Sequence, residues 1–244
     1  MRILLSPISR RVAIATLLAL AGILATPRTT QAADLVWTRA GSGNWGTASN
    51  WSTARIPTAA DRVFLTNAGD YTITVNIAAE AAALVLGGPT GRQTLSNATQ
   101  ILAIHGPLEV GTNGILRLQG GRLTGAADAN VAGRFEWFGG NLDRDGTTTI
   151  APGGTLLLGG TGSRTYTNGT ILNAGTATCG GGTLLSPAGF AQFTNAPGAT
   201  LEVTNTFSWT AGATGTNALL ANAGLLRVQL AGTASLGATP TSLT

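Results

Sequence analysis

Between Gly133 and Leu184 the sequence contains GRFEWFGGNL, GGTLLLGG and GTATCGGGTL. These are short alternating runs, each opened by a glycine and closed by a glycine pair. Anchor glycines before such runs fall at Gly114, Gly133, Gly154, Gly175, Gly198 and Gly224, separated by 19, 21, 21, 23 and 26 residues. A period near 20 with glycine punctuation is the signature of a solenoid, in which one coil cannot bury its apolar face alone but a stack of coils can.

The residues after each anchor alternate as a strand does. Two and four positions on stand Leu116 and Leu118, Phe135 and Trp137, Leu156 and Leu158, Ala177 and Cys179, and Leu226 and Val228. After Gly198 the pattern slips by one, to Leu201 and Val203. These positions are predicted to point inward, with Leu118, Trp137, Leu158 and Cys179 in one buried ladder. The intervening positions hold Arg117, Glu136, Leu157, Thr178, Glu202 and Arg227, which places opposite charges on neighbouring coils. A second periodicity competes, because FEW at Phe135–Trp137 recurs as FSW at Phe207–Trp209, 72 residues later.

Residues 1–33 carry the marks of a secretory signal. Arg2, Arg10 and Arg11 precede the apolar run Val12–Leu24, and small residues around Ala32 and Ala33 provide a cleavage position. Thirteen apolar residues fall short of the roughly 20 that span a bilayer. The whole chain has a formal net charge of +4 and no lysine, but four of its 14 arginines lie in this segment. The remainder, with ten arginines against ten carboxylates, is neutral, which removes nucleic acid as an expected partner. A single cysteine allows no internal disulfide, and as a ladder residue Cys179 is expected to be a small buried hydrophobe. His105, before Gly106-Pro107, belongs to a turn.

The stretch Leu35–Leu65 holds Trp37, Trp45 and Trp51 within 15 residues. These rings suit a plug for the open end of a solenoid core, with Asp61 as a turn or capping residue. Alternatively, Trp45 and Trp51 are platforms for stacking sugars. Asn141, Asp143 and Asp145 match the first half of a calcium loop, but Pro152 stands where its closing Glu belongs, so a turn is expected there and no metal site. Asp143 and Asp145 are also the only close acidic pair after the N-terminal region that a polysaccharide-cleaving enzyme could use.

The pattern W–GxGNW–x–NW–x–P–x–aD–x–V, from Trp37 to Val63, resembles the start of many exported bacterial proteins. In those chains it precedes glycine-rich β-solenoid repeats, in passenger regions of large surface and autotransporter-like proteins. The repeat FxWxGGxL…GGTLxL…NAGTATxxGG…NxxGATLEV is similar to theirs over most of residues 35–232. The resemblance implies a parallel β-helix outside the cell or on its surface and brings no catalytic residue with it.

The expectation is therefore an all-β chain, a right-handed parallel β-helix of about six to eight rungs, with a β-sandwich as the alternative. It divides into a signal (1–33), a Trp-rich cap (34–66), solenoid repeats (67–232) and a tail or truncated continuation (233–244). The expected function is a noncatalytic exported structural or adhesive module without cofactors, whose partners are surface glycans or further copies of the chain. The alternatives are a carbohydrate-binding module using Trp45 and Trp51, and a polysaccharide lyase or hydrolase.

Overall fold

A computed structural model describes residues 32–187, 189–211, 217–229, 234–236 and 242–243. Most of the expected signal (1–33), residues 188 and 212–216 of the expected repeats and most of the expected tail lie outside them. The described chain is a β-solenoid built from three parallel sheets of ten, nine and eight strands. From Arg62–Leu65 onward each coil contributes one strand to each sheet, so that strand i pairs with strand i+3, whereas the two strands before it pair two places on. From Arg62–Leu65 to Ala234–Leu236 there are eight such coils. Every strand pair is parallel, which rules out a sandwich of antiparallel sheets. Among the described residues the one antiparallel contact joins Trp37 to Trp51 inside the cap.

The second sheet carries the predicted repeat. Leu118 pairs with Trp137, Trp137 with Leu158, Leu158 with Cys179, Cys179 with Val203 and Val203 with Val228. The ladder is buried through Val203, whereas Val228 is 52% exposed. On the outer side Arg117 meets Glu136 at 2.5 Å and Glu202 meets Arg227 at 3.6 Å, as the alternation predicts. The 72-residue recurrence has no structural counterpart. FEW lies in the second sheet within Arg134–Trp137, and FSW in the third within Phe207–Ala211.

The slip at Gly198 has a simple cause in the corner between the first and second sheets. From the third coil on, that corner comes in two lengths, in alternate coils, while the first two coils have longer connections at 66–70 and 87–92. Long corners run Gly111–Gly114, Ala151–Gly154 and Ala196–Ala199, each closed by a hydrogen bond from the last N–H to the first carbonyl, at 2.8, 2.8 and 3.0 Å. Short corners are Ala132-Gly133, Ala174-Gly175 and Ala223-Gly224. Gly198 corresponds to Gly153, with φ of 81° and 83°, and Ala199 stands where Gly154 stands. The true anchor there is an alanine, so the sequence period counted from the wrong residue.

Short-corner glycines are required by close stacking. A Cβ on Gly133 would lie 2.2 Å from the Gly111 carbonyl oxygen and 2.4 Å from that of Gly114. Gly175 and Gly224 are pinned in the same way between two carbonyl oxygens.

Polar side chains line the same corner and the third sheet. Asn173, Asn195 and Asn222 stack in register, each amide donating to the next at 2.8 and 2.7 Å. Asn173 and Asn195 also donate to the carbonyls of Thr200 and Leu225. Such a ladder satisfies buried backbone acceptors that the turning chain leaves unpaired. Arg144 and Arg164 occupy inward positions of the third sheet and are buried. The Arg144 guanidinium donates to the carbonyls of Ile104, Thr124 and Ala127, and that of Arg164 to Gly159 and Gly181. Burial lowers both from the usual arginine range, Arg144 to about 10.

The Trp-rich segment is a cap, but it is also part of the solenoid. Asp34–Val36 is the edge strand of the first sheet and pairs with Arg62–Leu65. The loop between them folds Trp37, Trp45 and Trp51 into a buried cluster. Trp51 meets both others edge-to-face, at centroid distances of 5.2 and 4.9 Å, and its Nε1 donates to the Trp45 carbonyl at 2.8 Å. At the base of the loop the fully buried Asp61 carboxylate accepts two 2.6 Å bonds from Arg55. It also accepts from the Thr58 N–H and hydroxyl and from the Ala33 N–H.

The Arg55 guanidinium, with these further donors, holds Asp61 well below the usual carboxylate range. A depressed folded-state pKa contributes stability that is complete above the unfolded value, near 4, and is lost as pH falls below it. Asp61→Asn is expected to cost about 2 kcal/mol at neutral pH and to flatten the acid limb of stability against pH. Urea titrations from pH 7 to pH 3 check this, and an unchanged acid limb would remove Asp61 from the account.

Candidate functional site

The sequence-predicted sites behave differently in three dimensions. Trp45 and Trp51 are 0% and 2% exposed, so neither ring offers a face to a sugar in this arrangement. Their predicted platform role is corrected by packing, because both rings are spent on closing the core. Asn141 and Asp143 lie in the strand Gly140–Arg144, not in a turn, and Asp145 follows it. The Asp143 carboxylate is taken up by Arg122 of the neighbouring coil. Among the described residues, no three His, Cys, Asp or Glu side chains gather as metal ligands. His105 is exposed at a bend between strands. Cys179 is buried, and desolvation pushes its thiol up to about 12, against the opposing influence of Arg164. No helix among the described residues is long and apolar enough to cross a membrane.

What the fold does assemble is the outer face of the second sheet and the corner beside it. Across eight strands the alternate positions form two rows. One row runs Thr72, Thr94, Ile115, Arg134, Thr155, Thr176, Thr200, Leu225, and the other Thr74, Ser96, Arg117, Glu136, Leu157, Thr178, Glu202, Arg227. Half of these 16 positions are Thr or Ser, so the face is rich in neutral hydroxyls at strand spacing. At its centre the Glu136 carboxylate sits between two guanidiniums, with Arg117 Nε at 2.5 Å and Arg134 Nε at 2.9 Å.

Beside this face the alternating corners leave a notch. The short corner Ala132-Gly133 is recessed between the long corners Gly111–Gly114 and Ala151–Gly154. The resulting groove has a volume of about 320 Å³. Gly114 and Gly133 form its floor, and Asn113, Thr155, Arg92 and Arg134 are among its walls. No carboxylate lines it.

Sequence reasoning missed this groove. One signal was available: Gly91-Arg92 and Gly133-Arg134 repeat the same dipeptide where strands of the second sheet begin. Compared with protein families, curated proteins and solved structures, the chain matches none.

Proposed function

We propose that this chain is a noncatalytic structural and adhesive solenoid module of an exported bacterial protein, held at the cell surface or outside the cell. The observation that carries the reading is the outer face of the second sheet. Its two unbroken rows, half of them hydroxyl-bearing, extend over eight coils. Such a surface suits many weak polar contacts distributed along a rod, the form of binding that gains from repetition. Export is supported by the apolar run behind an arginine-rich start and by the low charge of the remainder.

The test uses the purified chain coupled to beads and washed over polysaccharide-coated surfaces under flow. Retention of the beads with no change in polymer length is the expected result. Release of new chain ends from the polysaccharide, abolished in Asp143→Ala, would replace this reading with an enzyme.

A further inference from the structure

We propose that the notch between the first and second sheets binds an acidic glycan, with Arg92 and Arg134 holding its carboxylate or sulfate groups. The proposal deepens the adhesive reading and takes its ligand class from it. The groove itself carries the chemistry.

Its wall residues come from four successive coils, those of Arg92, Asn113, Arg134 and Thr155. Three strand spacings of about 4.8 Å make it roughly 14 Å long, parallel to the solenoid axis, the shape of a short stretch of linear polymer. The floor is bare because stacking leaves no room for side chains: a Cβ on Gly114 would lie 2.5 Å from the Leu86 carbonyl oxygen, and one on Gly133 only 2.2 Å from that of Gly111. A ligand can therefore approach the backbone closely, as a flat sugar ring requires.

The charge of the groove departs from the rest of the molecule. The chain after the signal is balanced, yet this lining holds two arginines and no acid. Among the described residues, the Arg92 guanidinium has no carboxylate within 4.0 Å, while the Arg92 backbone N–H donates to Asp70 at 2.8 Å. Arg134 faces Glu136 through Nε, which leaves its two Nη groups for another acceptor. A guanidinium fork matches carboxylate and sulfate oxygens in geometry as well as charge. Thr112, Asn113 and Thr155 add neutral hydrogen-bonding groups for sugar hydroxyls. Two isolated cations suit a sparsely charged polymer better than a nucleic acid, whose phosphates demand a dense basic surface.

The experiment is calorimetric titration at low salt with an oligogalacturonate, a sulfated galacto-oligosaccharide and a neutral galacto-oligosaccharide of equal length. One or both acidic oligomers bind and the neutral one does not, and comparing the two separates carboxylate from sulfate recognition. Arg92→Ala weakens binding about fivefold, and Arg92→Lys recovers part of the loss. Arg92→Ala combined with Arg134→Gln abolishes it. Because Arg134 also flanks Glu136, the exposed Arg92, whose guanidinium meets no carboxylate, is the decisive position. Equal binding of the neutral oligomer, or unchanged affinity in Arg92→Ala, overturns the proposal. So does a single-stranded oligonucleotide bound as tightly as the acidic sugars. Beads that adhere while the acidic oligomers are ignored would remove the groove and leave the adhesive reading intact. Oligomer binding with no bead adhesion would do the reverse.

Discussion

Trp51→Ala is expected to lower stability by about 3–5 kcal/mol, the range for removing a large buried aromatic. Trp51 is the keystone of the N-terminal cluster, touching Trp37 and Trp45 edge-to-face and supplying the one indole N–H of the three that finds a partner. Its loss leaves a cavity over the first coil and frees the loop that carries Asp61. In a molecule where each coil contacts only its neighbours, the damage enters from that end. Thermal melting should fall by about 10 °C or more for a chain of this size. Hydrogen exchange should show Leu35 and Val63 losing protection before Ile150 and Ile171. A loss below about 1 kcal/mol would mean that the cluster covers the core without supporting it.

Gly133→Ala should cost about 3 kcal/mol or more, at the upper end of overpacking penalties. The added methyl would sit between two backbone oxygens of the preceding coil, neither of which can rotate away. The comparison is Gly41→Ala, where a Cβ meets nothing within 4 Å and the effect should stay within about 0.5 kcal/mol. Urea unfolding of the two variants side by side checks the argument. Equal stabilities would show that the coils can part by several tenths of an ångström at no cost, which close-packed parallel sheets should not permit.

The second sheet was legible in the sequence because two physical constraints coincide in it. Short-corner glycines are compelled by backbone approach, and inward positions such as Leu118, Trp137 and Leu158 are compelled by burial. Both leave residue types that stand out. The first and third sheets were less legible, since their inward positions include Asn173, Asn195, Arg144 and Arg164, residues that a reader assigns to solvent. The parity of Arg144 against Leu142, and the pairing of Arg144 with Gly125, were the available clues.

The caps divided in the same way. The closing role of the three tryptophans could be foreseen, whereas the platform role of Trp45 and Trp51 could not be separated from it without burial. The FEW and FSW recurrence misled because similar triplets satisfy the same inward, outward, inward requirement on any sheet. The groove was not legible, because it arises from a difference in corner length and not from a residue type.

That difference gives the molecule two rhythms. Inside, every coil is equivalent, and the ladder from Leu118 to Val203 advances one step at a time. Along the edge between the first and second sheets, from Gly111 to Gly224, long and short corners take turns, so the surface there repeats only every second coil. A polymer lying along this edge meets the same relief at about 9.6 Å, twice the strand spacing, while the core beneath it repeats at half that distance. Residues can thus be gained or lost at a corner, changing the outer relief, while the count kept by the core is undisturbed.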